Sequence, residues 1–483
     1  MRPSDFWVRP GSRKALWLAL AAVCLVCTLV VAFYEVEPAS WGSLVDGTRP
    51  LQELQDHNID DPHNSDSPSN FPSNSAAVNN PTTSSVPLTT PAETGEASDR
   101  RCRGAFADPG NVLLVIKTGA TEIYEKLPTQ LLTTLGCSEN YLIFSDLDEQ
   151  IGPYHIQDAL ANFTQSLKDT LPDFHLYLKQ QDYRRTGQDI AKLKKDGHDA
   201  WTLDKYKFLH MVEMAWNERP DMDWYVFIEP DTYLVWSNML LWLQTLSPQD
   251  ELYMGSVAYV ISEPFAHGGS GYVISGQLLK RFVGENPGMA NRYDEVFTRE
   301  CCGDFVLART IKQEINVGVQ NFWPQINGEK PATLPFGPTH WCQPVVTMHH
   351  VEPRERSTIF DFEQARENIS EPLLFRELSE IAFPSDDMPT EEKDWDNLSN
   401  VQLRFPGDIT PTLEQCRDSC LTMEACFQYR YNGEECHVLT DAFKRGAKRE
   451  DDGKQWVSGW NVRKIQDWRD SHPCETPEWV HAH

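Results

Sequence analysis

Residues 224–236 read WYVFIEPDTYLVW, from Trp224 to Trp236, and the reading of this stretch decides the fold. Tyr225-Val226-Phe227-Ile228 is a continuous apolar run, the pattern of a strand buried on both faces. It delivers two carboxylates, Glu229 and Asp231, to a turn at Pro230. Residues i and i+2 of an extended segment point to the same side, so both acids are expected to face one pocket. Mg²⁺ and Mn²⁺ prefer oxygen ligands, and sites completed by substrate phosphates often take only one or two protein carboxylates. Pro and Asp also favour ordinary turns, so the tripeptide acquires meaning only from its surroundings.

Those surroundings alternate strand and helix candidates between about Asn111 and Val351, which predicts an α/β domain. VLLVIKTG begins it, with a buried strand over Val112 to Ile116 that breaks at Thr118-Gly119 and leads into a helix from Tyr124 to Thr134. YLIFSD, Tyr141 to Asp146, repeats the plan. Ligands of open α/β sheets bind at strand ends, which makes Thr118, Gly119 and Asp146 candidate nucleotide contacts, with structural turn duty as the alternative for each. In TLDKYKFL the apolar spacing predicts a helix feeding the carboxylate turn, and Lys205 or Lys207 near its start is placed to reach a phosphate. Downstream, Gly268, Gly269, Ser270 and Gly271 form a Gly-rich turn that permits close backbone approach by a sugar or its acceptor. Asp304 stands at the start of a helical run, as a cap or as a general base. His349 and His350 end a strand-like segment, where an imidazole could complete a metal site.

The N-terminus reads differently. Residues 1–14 carry Arg2, Arg9, Arg13 and Lys14, and the uncharged apolar run 15–33 has the length of a transmembrane signal-anchor. The expected topology is a single-pass type II membrane protein with a cytosolic tail. Residues 34–100 are rich in Ser, Thr, Pro and Asn and predict a disordered stem. Cysteines from Cys102 to Cys474, with sequons at Asn162, Asn368 and Asn397, agree with the secretory pathway and disulfide pairing. A zinc site over Cys416, Cys420 and Cys426 is the competing reading. With 43 basic and 71 acidic residues the formal charge is −28, and no long Lys/Arg cluster stands beyond the membrane flank, which argues against nucleic acid as a partner. An anionic substrate would need locally placed cations or a metal.

In this order and spacing VLLVIKTG, FSD, TLDKYKFL, EPDTYLV, HGGSGYVIS, CGDFVLA and HHV resemble glycosyltransferase family 31, the fringe-like and core-1-type β1,3-glycosyltransferases, over roughly half the chain. The resemblance implies a GT-A (Rossmann-like) domain over residues 101–370 and Golgi localisation with the catalytic head luminal. It further implies a UDP-sugar donor, Mn²⁺ (or Mg²⁺), and inverting transfer of a hexose or N-acetylhexosamine to a glycan or glycoprotein hydroxyl. Asp231 would ligate the metal, Glu229 would assist, and His349 or His350 would complete the site. Asp304 would be the base, Thr118, Gly119, Asp146 and Lys205 would bind the donor nucleotide, and Gly268 to Gly271 would shape the sugar or acceptor pocket. One departure stands out: Glu-Pro-Asp occupies the place where many relatives carry consecutive acids, and Pro stiffens the turn.

After an acidic linker at 371–400, residues 401–474 resemble a PAN/apple module, a small disulfide-rich α+β unit whose limited core needs covalent staples. Its expected role is acceptor recruitment or packing. The alternative to an enzyme is a catalytically inactive, membrane-tethered carbohydrate- or protein-binding protein on the same fold.

Overall fold

The computed structural model describes residues 111–482 apart from 139, 195–196, 367–369, 408 and 450–452. The apolar run becomes strand β5, Trp224–Ile228, fully buried. Beside it lies β1, Val112–Lys117, and beyond that β2, Tyr141–Ser145, both parallel to it. Strands β3 (Glu149–Ile151) and β4 (Tyr154–Asp158) follow at one edge. At the other stand β7 (Tyr253–Gly255), β10 (Tyr272–Ser275) and β11 (Gln320–Asn321). The eight-stranded order is β11-β7-β10-β5-β1-β2-β4-β3, with β10 antiparallel to both its neighbours. Outside this sheet, β6 (Tyr233–Leu234) pairs with β12 (Thr347–Met348), and β8 (Val257–Val260) forms a hairpin with β9 (Glu263–Ala266).

Alternation along the central strands sorts side chains into two cores. Leu113, Val115, Tyr225 and Phe227 point into one, Leu114, Ile116, Val226 and Ile228 into the other. The helices that cover these faces include α1 (Ile123–Leu132), α2 (His175–Thr186), α3 (Lys207–Glu218), α4 (Trp236–Leu243) and α5 (Gly303–Ile315). Leu127 of α1 and Leu240 of α4 pack in the second core, Leu209 and Val212 of α3 and Leu307 of α5 in the first. Covering both faces of a parallel sheet is what makes its strands continuously apolar. The carboxyl ends of β1, β2 and β5 consequently share one edge, where Lys117, Asp146 and Glu229 emerge.

Two more helices, α6 (Pro353–Ala365) and α7 (Phe375–Ala382), lead to a five-stranded antiparallel sheet. Its strands are β13 (Glu391–Lys393), β15 (Val401–Gln402), β16 (Gln428–Tyr431), β17 (Cys436–Leu439) and β19 (Val457–Trp460), in the order β13-β19-β16-β17-β15. A separate pair joins β14 (Trp395–Asp396) to β18 (Ala447–Lys448). The acidic segment 371–400 thus carries a helix and two of these strands. Helix α8, Leu413–Thr422, is capped by Thr412 and stapled by Cys416–Cys436 and Cys420–Cys426, which excludes the zinc reading of those cysteines. Phe427, Tyr429 and Trp460 are core residues. A third cluster, with Phe336, Trp341, Phe427, Phe443 and Trp460, joins this sheet to the preceding domain. The disulfide from Cys342 to Cys474, just beyond α9 (Val462–Ser471), ties the same junction, and both parts belong to one compact unit.

The expectation of a membrane protein requires correction. Among the described residues no helix is long and apolar enough to cross a membrane. The run 15–33 and the stem 34–100 on which that expectation rests lie outside the described residues. The structure therefore shows an α/β domain with disulfides, and the anchor, the membrane partner and the type II Golgi placement are withdrawn.

Candidate metal centre

The carboxylate turn and the tandem histidines, more than 110 residues apart in sequence, meet because β6 pairs with β12 in the register Met348↔Tyr233. The next residue on each side, Thr232 and His349, continues that approach, and the Val351 N–H donates to the Asp231 carbonyl at 3.0 Å. One ligand atom from each of Asp231, His349 and His350 lies within 4.8 Å of the others, a group that could hold a metal ion. His349 Nε2 is 3.4 Å from Asp231 Oδ1, and the two imidazole centroids are 3.9 Å apart. His350 has φ 57°, a left-handed conformation that His tolerates better than most side chains, and this lets consecutive imidazoles converge.

The donor set fits a divalent cation. His349 Nδ1 is buried and meets no hydrogen-bond partner, a costly arrangement for a polar atom with nothing else to bind, and Asp231 Oδ1, also buried, has only the His349 ring beside it at 3.4 Å. Burial works against ionisation of Asp231, but His349 and Lys126 hold its carboxyl well below the usual carboxylate range. Burial, reinforced by His349, pushes the His350 imidazole down, towards the neutral form that ligates metals. A carboxylate with two imidazoles suits Mn²⁺ or a neighbouring transition ion better than Mg²⁺, which favours oxygen alone.

The turn itself is clamped from beneath. Arg356 of α6, only 1% exposed, donates to the Pro230 carbonyl at 2.8 Å, the Thr232 carbonyl at 3.1 Å and Gln130 Oε1 at 2.6 Å. Gln130 of α1 donates in turn to the Thr232 carbonyl at 3.0 Å. Thr232 Oγ1 accepts from the Glu229 N–H at 3.0 Å and donates to the Gly269 carbonyl at 2.8 Å, which links the turn to the Gly-rich loop.

That loop packs directly on the centre. A Cβ on Gly269 would lie 2.2 Å from His349 Cε1, and one on Gly268 would meet Phe208 at 2.9 Å and Glu229 Oε1 at 3.3 Å. Gly271 has φ +81° and Ser270 is buried, its carbonyl accepting from Thr347 Oγ1 at 2.6 Å. Gly269 is thus the glycine that admits His349. Gly269→Ala is expected to displace that ring and weaken Mn²⁺ binding by about 10- to 100-fold, the range seen when ligand-orienting groups are lost. Isothermal titration checks it, and unchanged affinity would show that His349 is not a ligand.

Asp304 is the second residue of α5. Its Oδ2 accepts from the Gly268 N–H at 2.9 Å and its Oδ1 from the Phe305 N–H at 2.9 Å, while Cys302 occupies the cap. Burial pushes the Asp304 carboxyl up, against those two N–H donors. It thus stands at the same loop as the metal group.

At the strand ends Asp146 belongs to an alternating series of charges with Lys207, Asp204, Lys117 and Glu229. Lys207 Nζ is 3.7 Å from Asp146 Oδ2, 2.9 Å from Asp204 Oδ1 and donates to the Thr118 carbonyl at 2.8 Å. Asp204 Oδ2 pairs with Lys117, whose Nζ is 3.0 Å from Glu229 Oε1. Asp146 also accepts from the Ala120 N–H at 2.6 Å, just after Gly119. Thr118 Oγ1 is buried with no partner. Lys205 faces Asp173 at 3.1 Å, so Lys207 rather than Lys205 reaches the strand ends. Glu229 stands outside the three-residue metal group.

Sequence reasoning missed Lys126, Gln130, Lys330 and Arg356. Lys126 Nζ lies 3.1 Å from Asp231 Oδ2, and Lys330 Nζ 3.0 Å from Glu355. With Asp231, His350 and Arg356 these two lysines line a cavity of about 380 Å³, within the range of small-ligand sites. Asp231 and His350 of the metal group thus open onto a space of mixed charge, where Glu125 and Glu352 also line the wall and each lysine is paired, Lys126 with Glu122 and Asp231 and Lys330 with Glu355. No family model matches the chain.

Proposed function

We propose that this chain is a metal-dependent inverting glycosyltransferase, resembling family 31, that moves a hexose or N-acetylhexosamine from a UDP-sugar to a hydroxyl of a glycan or glycoprotein. The observation that carries the reading is the Asp231, His349 and His350 group, two of whose members, Asp231 and His350, line a cavity together with Lys126 and Lys330. In an acidic chain, a metal position beside two ammonium groups is where a diphosphate would find positive charge. The order of sequence landmarks supports the sugar-transfer assignment within the broader class of metal-using enzymes.

A divalent ion bound there would neutralise charge on the departing diphosphate. The chain's own residues do the rest. Lys126 and Lys330 would exchange their carboxylate partners for the phosphates, Arg356 fixes the turn that bears Asp231, and Gly269 leaves the space that seats His349. Asp304 accepts the proton of the attacking hydroxyl. Its raised carboxyl favours that duty, because a base works best when its pKa approaches the working pH.

Asp304→Asn tests the assignment. Transfer is expected to fall by about 10²- to 10⁴-fold, the usual contribution of a general base, while UDP and Mn²⁺ binding stay within about threefold. The activity assay is Mn²⁺-dependent release of UDP and formation of glycoside from UDP-sugars. Undiminished transfer in the variant would remove Asp304 as the base, and no UDP binding by the native chain would remove the reading altogether.

A further inference from the structure

The chain carries two acids at its carboxylate turn, yet only one belongs to the metal group. We infer that Lys117, held by Asp204, is a positioning residue that keeps Glu229 off the metal centre, so that the ion is ligated by one carboxylate and two imidazoles. This rests on the metal-centre reading above and states how its ligand set is limited.

Lys117 is 4% exposed at the end of β1. Its ammonium has three faces occupied, by Asp204, by Glu229 Oε1 at 3.0 Å, and by the Phe208 ring at 4.6 Å from the centroid. A buried ammonium between two carboxylates is held strongly, since only by leaving both would its charge be stranded out of water. Asp204 cannot turn away, because Lys207 holds its other oxygen at 2.9 Å. The series Asp146, Lys207, Asp204, Lys117, Glu229 thus alternates in sign along the ends of β2, β1 and β5, and Glu229 is its last member. On the far side Glu229 Oε1 closes on Gly268, whose missing Cβ leaves it room. Asp231 takes the opposite course, towards Lys126 and His349.

The separation has an electrostatic consequence. A dication held by one carboxylate and two neutral imidazoles keeps a net positive charge, whereas a second carboxylate would cancel it. An anionic diphosphate would be attracted by the first site and little by the second. Lys117 therefore protects the affinity of the centre for its anionic substrate.

The test is Mn²⁺ binding, read by isothermal titration without substrate on the full chain. Lys117→Met frees Glu229 to join the ion and, by adding one carboxylate to the ligand set, is expected to tighten Mn²⁺ binding by about tenfold. Lys117→Met/Glu229→Gln should return to the native affinity, and Lys117→Arg, which keeps the charge, should match it. A gain that the second substitution cancels cannot come from general damage to the fold. The inference is overturned if Lys117→Met binds Mn²⁺ no tighter than the native chain. It is also overturned if Glu229→Gln alone weakens binding tenfold or more, a result that stands even if Lys117→Met does not fold. A native chain that binds no Mn²⁺ would overturn the metal-centre reading itself, an outcome separate from either.

Discussion

Asp231→Ala is expected to reduce Mn²⁺-dependent sugar transfer by about a thousandfold, equivalent to about 4 kcal/mol of transition-state stabilisation at 1.36 kcal/mol per decade. The magnitude follows from its place in the site. Asp231 supplies the sole carboxylate of the metal group, and the two histidines alone make a poor site for Mn²⁺, which prefers oxygen. The same substitution should change stability by only about 1 kcal/mol, because of the two contacts it breaks the ion pair to Lys126 is partly exposed, at 20% for Asp231 and 27% for Lys126, and the one to His349 at 3.4 Å is an ion pair only when that imidazole is protonated. Lys126 keeps Glu122 at 3.0 Å, and the Asp231 carbonyl keeps the Val351 N–H. Activity lost with the unfolding midpoint preserved would separate chemistry from folding, whereas a tenfold effect or less on transfer would show that the ion, if needed, binds elsewhere.

The second large effect is on stability. Arg356→Met keeps the length and apolar stem of the side chain but strands the Pro230 and Thr232 carbonyls and Gln130 Oε1, all buried acceptors. Each stranded polar group costs on the order of 1–3 kcal/mol, and shared acceptors reduce the sum. Thr232 retains Gln130 as a donor, so an overall loss of about 3–5 kcal/mol is expected. Some of the guanidinium's own burial cost is recovered, since burial lowers its pKa to about 10. Denaturant unfolding of the purified chain measures the difference. A loss below about 1 kcal/mol would mean that the turn is held by β6–β12 pairing rather than by α6.

Much of the eight-stranded sheet was legible, for a physical reason. A strand buried on both faces must be apolar throughout, and the runs at Val112, Tyr141 and Trp224 obey that rule. The histidines were legible as strand-end residues, and β12 places them there. The expected convergence of Glu229 and Asp231 assumed that strand geometry continues past Ile228, but β5 stops at that residue, and the two acids are drawn to different partners, Glu229 to Lys117 and Asp231 to Lys126 and His349. Lys205 and Lys207 could not be separated by spacing, since two positions on a helix differ by roughly 200° in direction and either could face the sheet. Lys126 and Arg356 left no local signal at all. They lie on α1 and α6, and only tertiary packing carries those helices to the turn. The membrane expectation came from composition at residues 15–33, outside the described residues, and no described helix replaces that run.

The central claim is that Asp231, His349 and His350 hold one divalent ion. Its most direct test is titration of the purified chain with Mn²⁺, followed by pulsed electron paramagnetic resonance of the bound ion. The account predicts one tightly bound Mn²⁺ per chain with nitrogen modulation from two imidazoles, diminished in His349→Ala and in His350→Ala and lost together with stoichiometric binding in Asp231→Ala. Stoichiometric Mn²⁺ without imidazole nitrogen coupling, or no stoichiometric binding at all, would contradict it.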